Sequence, residues 1–376
     1  MKYTVAVVGG GVIGLSIAWR TAARGFSVTM YDPDPGHGAS WVAGGMLAPT
    51  AEAYHGEEGV LRFGLASRAR YPSFVAELEE DAGRDAGYTE QGTLLVARDA
   101  DDAAEIRRLF DLQQAMGLPA EWRTSSELRR LEPALARTVR GGVWMPLDHQ
   151  VDNRRLIKAL CAACSTRGVC FERQSAVEVT SSSVRLSSGE LSRADHVVVA
   201  TGANPSVVMD DGALVTLPVR PVKGQILRLR SVAAAVCPSH TVRGLGIYVI
   251  PRSDGEIVVG ATSEEKGFDT TVTAGAVMDL LRDAWELVPG IAEAELVEAK
   301  AGLRPGTPDN LPIIGRVGCE GSGPIVAVGH YRHGILFAPL TAELVTGLLT
   351  DSSTSEHTEL LKLCEPARFE AREVRG

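Results

Sequence analysis

Two groups of residues in this chain have the types and spacing to do chemistry. The first is Gly9-x-Gly11-x-x-Gly14, with Asp32 following at a distance. Gly9 permits a tight turn, Gly11 lets backbone N–H groups approach a pyrophosphate, and Gly14 lets a helix lie close on a strand. A carboxylate such as Asp32 then accepts hydrogen bonds from an adenosine ribose and disfavours a 2′-phosphate. The second is Arg304, in the stretch AGLRPGTPDNLPIIG at 301–315. A guanidinium stays charged and needs an anion when it is withdrawn from water. That anion is either a structural acid such as Asp309 or Glu298, or a bound ligand.

The elements needed to position the first group are legible around it. Thr4 to Val8 is an apolar strand ending at the glycines, a helix carrying Ala18 and Ala22 on one face follows, and a second strand centres on Val28. The helix N-terminus favours phosphate. This unit alone does not separate NAD from FAD. The small-residue loop GHGASWVAGGMLAPTAEA at 36–53 comes next, where a nicotinamide dehydrogenase is expected to continue with further βα units. Such a loop suits a cofactor that stays bound and runs deep into the protein.

Further along, helices are expected over 60–85, DDAAEIRRLFDLQQAMG, DNRRLIKALCAACSTRG, VMDLLRDAWELVPGI and ILFAPLTAELVTGLL, with Pro339 confined to the first turns of the last. YTEQGTLLVARD reads as one strand, ADHVVVATG as a buried strand ending at Thr201 and Gly202, and PIVAVGH as another. Residues 215–263 have strand character throughout, which predicts an antiparallel block inserted into the opening βαβ arrangement. AGLRPGTPDNLPIIG, rich in Gly, Pro, Thr and Asn, reads as a loop. The fold class expected is mixed α/β. A Rossmann-like domain from 1–87, 148–220 and 300–376 joins a smaller antiparallel-sheet domain from 88–147 and 221–299.

Composition narrows the function classes. The 376 residues are 45% hydrophobic and 23% charged, with a net charge of -9 that argues against nucleic acid. The first apolar run is too short for a signal-peptide core, and no later stretch was expected to span a bilayer, which points to the cytoplasm. Cys161, Cys164, Cys170, Cys237, Cys319 and Cys364 lack disulfide-framework or zinc spacing, and His330 and His333 lack an acid or cysteine partner. No metal is expected.

Taken together, the glycine fingerprint, GGML at 44–47, VVVATG at 197–202, YVIPR at 248–252, VGAT at 259–262, AGLRPGTPDNLPIIG and VGHYRHGILFAP at 328–339 occur in order over nearly the whole chain. This set resembles the D-amino acid oxidase and sarcosine oxidase superfamily of FAD enzymes, and within it the glycine oxidases of thiamin biosynthesis. The resemblance implies FAD, held by Gly9, Gly11, Val12, Ile13, Gly14, Asp32, Pro33, Ala39, Ser40, Gly44, Gly45, Met46, Ala176, Thr201 and Gly202. It adds the turn His330, Arg332, His333, Gly334, Ile335 and Leu336. It implies that Arg304 pairs with a substrate carboxylate, Tyr248 hydrogen-bonds the same group, and the loop of Arg332 offers a carbonyl to the amine. Tyr248 as a plain core aromatic and Arg332 as a solvated basic residue are the structural alternatives.

The chemistry implied is oxidation of a C–N bond without a side-chain base. Hydride leaves the α-carbon of a neutral amine, the imine hydrolyses to a 2-oxo acid and ammonia, and molecular oxygen becomes hydrogen peroxide. Glycine is the substrate the resemblance favours, its imine supplying thiazole synthesis, and a homo-oligomer is expected. Three residues depart from the pattern. Gly302 stands where covalently flavinylated relatives carry cysteine, so FAD should be non-covalent. Gly246 and Ser263 leave space that could admit sarcosine or small D-amino acids. Sarcosine or D-amino acid oxidation is the nearest alternative, with an NAD-dependent dehydrogenase or a non-catalytic flavin protein beyond it.

Overall fold

The computed structural model describes residues 2–204, 207–210, 213–231, 237–318 and 321–369; Cys319 lies outside them. The opening strand Thr4–Val8 is buried beyond its first residue and runs parallel to Ser27–Tyr31 on one side and His196–Val199 on the other. The full sheet has the order Ile313–Arg316, Ile325–Val328, His196–Val199, Thr4–Val8, Ser27–Tyr31, Cys170–Glu172, and only the first pair is antiparallel. Parallel strands covered on both faces read as continuous apolar runs, as VAVV and HVVV do. Helices Val12–Ala23, Glu58–Ala82, Asn153–Thr166 and Gly334–Thr350 pack together in the core with Trp19, Phe63, Phe74 and Phe337.

A second sheet of eight strands has the order Glu295–Gly306, Arg220–Arg230, Glu256–Gly260, Tyr248–Pro251, Thr241–Arg243, Thr93–Val96, Gly142–Met145, Glu121–Arg123. It is antiparallel apart from the pairing of Thr241–Arg243 with Thr93–Val96. Its far face packs against helix Ala274–Leu287 through Leu280, Ala284 and Leu287. A three-stranded sheet, Met46–Leu47, His149–Val151 and Tyr88–Thr89, stands between the two large ones. A five-stranded sheet carries Ala176–Val179.

Three expectations are corrected. YTEQGTLLVARD is two strands, Tyr88–Thr89 and Thr93–Val96, in different sheets, because Gly92 turns the chain at φ 73°. Arg304 sits on a strand rather than in a loop. Glu295–Gly306 pairs along its length with Arg220–Arg230, placing Val222 opposite Arg304, and this pairing overrides the turn-forming composition. Tyr331–Thr350 is 20 residues long and apolar enough to cross a membrane by length and composition. Its window is 78% buried inside the protein, so its apolarity belongs to the core.

That helix is also anchored in a way that explains Pro339. Proline has no N–H, so the carbonyl of Ile335 loses its intrahelical donor. The Tyr71 hydroxyl donates to the Ile335 carbonyl at 2.8 Å, and Ser67 Oγ donates to the Leu336 carbonyl at 2.6 Å. Both come from helix Glu58–Ala82. The start of the helix is thereby fixed where the sheets meet.

Candidate active site

A single elongated cavity of about 690 Å³ runs from the end of the parallel sheet to the face of the eight-stranded sheet. At one end it is lined by Gly9, Gly11, Val12, Ile13, Asp32 and Pro33, and along its length by Ala39, Ser40, Gly44, Gly45, Met46, Thr201 and Gly202. At the other end stand Tyr248, Arg304, His330, Arg332, His333, Gly334 and Ile335. Residues far apart in sequence thus meet around one space. Gly14, Ala176 and Leu336 do not line it. Gly14 lies so close to Gly9 that a Cβ would overlap the Gly9 carbonyl oxygen. Ala176 packs into the cluster beside the five-stranded sheet, and Leu336 is buried in the helical core.

The phosphate end follows from local geometry. Helix Val12–Ala23 begins at Gly11 with no side-chain cap, which leaves amide donors near the cavity. Ser40 Oγ accepts from the Val12 amide at 3.0 Å, and Asp32 accepts from the Gly10 amide at 2.6 Å and the Asp34 amide at 2.8 Å. A second helix, Gly334–Thr350, also starts at the cavity without a side-chain cap. The cofactor loop is held by residues that sequence reading did not single out. Buried Asn153 donates to the carbonyls of Ser40 at 2.8 Å and Trp41 at 3.0 Å, and Arg252 donates to the Gly44 carbonyl at 2.6 Å. Trp41, the bulky residue of this loop, lies against His37 with the Arg154 guanidinium over its ring.

At the far end, Arg304 Nη1 donates to the Thr262 carbonyl at 2.9 Å. Its would-be structural partners are engaged elsewhere. Asp309 pairs with Arg368 at 2.8 Å, and Glu298 pairs with Arg154. Among the described residues no carboxylate pairs with Arg304. A Cβ at Gly224 would overlap its guanidinium, so glycine there is what gives the side chain its place. Tyr248 lies over Gly44 and Gly260, and its hydroxyl makes no hydrogen bond to the described residues. Burial raises the Tyr248 pKa, so the hydroxyl is a donor at neutral pH.

Glu52 is the residue here that sequence reading missed. It contacts Arg332 Nε at 3.1 Å, Arg243 Nη1 at 3.3 Å and His333 Nδ1 at 3.3 Å. Burial alone would raise its pKa, but Arg243, His333, Arg332 and Arg304 outweigh it and hold the carboxyl at about 2. Arg332 also reaches Glu57 at 2.7 Å, so it is paired rather than solvated. His333 Nε2 accepts from Arg332 Nε at 3.2 Å, and burial lowers its pKa to about 4. His330, bonded to Thr341 Oγ1 at 3.0 Å, is lowered by burial to about 3. Both imidazoles are neutral at pH 7. Among the described residues no cluster suited to a metal is present.

This architecture has known counterparts. The family model described as FAD dependent oxidoreductase (DAO) matches residues 4–348. The chain belongs to that family. It is 36% identical over 362 residues to the glycine oxidase of Geobacillus kaustophilus, covering 94% of each chain. The crystal structure of glycine oxidase from Geobacillus kaustophilus superposes with a TM-score of 0.85 and 35% identity, covering 94% of this chain and 96% of that one. A bifunctional protein ThiO/ThiG of Trichormus variabilis is 35% identical over 94% of this chain, which spans 54% of that protein.

The residues present fit the family's FAD. The glycine-lined end, Asp32, the uncapped helix starts and the extent of the cavity match a dinucleotide running from ribose to ring system. Among the described residues no cysteine lines the cavity. A side chain at Gly302 would press on Val42 at 3.0 Å.

Proposed function

We propose that this FAD-dependent oxidoreductase oxidises glycine and other small amino acids to the 2-oxo acid and ammonia, with oxygen reduced to hydrogen peroxide. The observation that carries the reading is Arg304, a guanidinium without a carboxylate partner among the described residues at the far end of the cavity from the glycines, beside the free hydroxyl of Tyr248. Arg304 takes the substrate carboxylate as a planar fork, and Tyr248 donates to the same group. The Arg332 turn, fixed by Glu52 and Glu57, sets the amine side of the site. Bound FAD supplies the two-electron acceptor. The protein contributes orientation and exclusion of water, with no side-chain base required. Gly246 and Ser263, both lining the cavity, support a second reading in which sarcosine or small D-amino acids are also accepted.

The rest of the proposal rests on resemblance. The ThiO/ThiG relative supports hand-off of the imine to thiamin thiazole synthesis. A cytoplasmic homo-oligomer is proposed on the same footing. The division into a cofactor part (1–87, 148–220, 300–376) and a substrate part (88–147, 221–299) is supported by the two large sheets, although the strand Glu295–Gly306 of the eight-stranded sheet crosses the boundary at 300. The test is an anaerobic visible spectrum of the purified protein before and after addition of glycine. Bleaching of the flavin band is expected. A yellow protein that no small amino acid bleaches overturns the oxidase reading.

A further inference from the structure

We propose that Arg243 is a specificity-determining residue, and that the site favours small amino acids carrying a second carboxylate. The proposal rests on reading the cavity as an amino acid oxidase site and names the substrate class of that site.

Arg243 ends the strand Thr241–Arg243 and stands directly opposite Tyr248 in the antiparallel register, so both side chains leave the sheet on the same face. It lines the cavity and is only 8% exposed. Its guanidinium makes no hydrogen bond to any described residue, and Nε and Nη1 are buried without a hydrogen-bond acceptor. Its one opposite charge is Glu52, at 3.3 Å from Nη1. That carboxylate is shared with Arg332 and His333. Nε has no acceptor and Nη1 has only the shared Glu52 carboxylate, so the guanidinium is under-satisfied inside the protein, and a bound acceptor reduces that cost.

The pairing of these groups points to the kind of acceptor. Glu57 pairs with Arg332, and Glu52 is shared by Arg332, His333 and Arg243, so Arg243 has no carboxylate of its own. A second carboxylate on the substrate supplies one. Glycine can satisfy Arg304 but leaves the donors of Arg243 unmet. Space is present on that side as well. The hairpin turn Leu245–Gly246 beside Arg243 lines the cavity, and nothing lies within 4 Å of where a Gly246 Cβ would stand. The second carboxylate can be on the nitrogen, as in N-carboxymethylglycine, or on the β-carbon, as in D-aspartate. The first consumes water and oxygen and gives glyoxylate, glycine and hydrogen peroxide. The second gives oxaloacetate, ammonia and hydrogen peroxide.

The experiment compares kcat/KM of the holoenzyme for D-aspartate, its neutral isostere D-asparagine, N-carboxymethylglycine and glycine, in wild type, Arg243→Gln and Arg243→Lys. Wild type should prefer D-aspartate over D-asparagine by about 30-fold, the size of one charge-assisted pairing. Arg243→Gln should abolish that preference through KM, and Arg243→Lys should restore part of it. Binding of N-carboxymethylglycine, read anaerobically from perturbation or bleaching of the flavin spectrum, should weaken by a similar factor in Arg243→Gln. The flavin spectrum of each variant reports its folding. Glycine oxidised without preference for either dicarboxylate overturns this proposal and leaves the oxidase reading standing. So does an Arg243→Gln variant that lowers all four substrates equally. A protein that no amino acid bleaches and no dicarboxylate perturbs overturns both.

Discussion

The carboxylate assignment at Arg304 has a direct consequence for kinetics. Arg304→Ala should raise KM for glycine about a hundredfold, equivalent to roughly 3 kcal/mol of charge-assisted pairing. Arg304→Lys should recover little, because a point charge cannot present the same fork. An unchanged KM in Arg304→Ala would end the assignment. The neighbouring groups leave the pH behaviour to the substrate. Glu52, His330 and His333 titrate at about 2, 3 and 4, so none of them changes charge between pH 5 and 9. The rate should therefore rise toward alkaline pH as the substrate amine deprotonates, and a strictly acid optimum would contradict hydride loss from the neutral amine. Glu52 also carries a stability signature. Its folded pKa of about 2 lies below the ordinary 4.5, so its contribution is complete above pH 4.5 and is lost as the pH falls toward 2. The shift corresponds to about 3 kcal/mol. Urea unfolding of Glu52→Gln should show a deficit of that order at pH 7 that shrinks below pH 4.5. A deficit independent of pH would mean that the loss comes from packing alone.

At the scale of elements, glycines place the cavity's two ends, and their substitutions should fail differently. In Gly14→Ala the new Cβ meets the Gly9 carbonyl, backbone against backbone at the turn proposed to hold the pyrophosphate. That protein should purify without flavin. In Gly224→Ala the three atoms nearest the new Cβ all belong to the end of the Arg304 side chain, which can swing away. Thermal unfolding and flavin content should remain near wild type while KM for glycine rises at least about tenfold, a loss of roughly 1.4 kcal/mol or more in carboxylate binding. Loss of flavin in Gly224→Ala would show that strand pairing, not Arg304, depends on it. The same contrast explains what could be read from sequence. The Gly9–Asp32 unit is local: strand, turn, helix and acid lie within one βαβ span, and the structure assembles them as their spacing implied. Arg304 was legible as a residue but not as part of a strand, because Gly302, Pro305 and Gly306 speak for a turn until Arg220–Arg230 pairs with them. Glu52, Arg243 and Asn153 carried no signal of their own, and Arg252 only its place in YVIPR. Each acquires its role from a partner brought by sheet pairing or loop packing from more than a hundred residues away.

For the whole molecule, the cavity lies where two large sheets meet, and one buried side chain ties the eight-stranded sheet to the small sheet and loop between them. Arg252, just past the strand Tyr248–Pro251, donates to the carbonyls of Gly44 at 2.6 Å and Val151 at 3.0 Å and to the side chain of Gln150. Gln150 Nε2 returns a bond to the Pro251 carbonyl at 2.6 Å. Burial lowers the Arg252 pKa to about 10, still charged at neutral pH. Arg252→Met removes these donors and leaves the acceptors buried, which should cost about 3 kcal/mol. Gly44 belongs to the cofactor loop, so the loss should be coupled to FAD. A ligand at a hundred times its Kd stabilises the folded state by about 2.7 kcal/mol, and weaker binding reduces that term. Unfolding midpoints of wild type and Arg252→Met, each with and without excess FAD, should show a smaller FAD-induced gain in the variant at equal FAD concentration. Equal gains would make Arg252 a latch between sheets with no hold on the cofactor loop. A smaller gain would mean that the join between the sheets and the cofactor site are one structure.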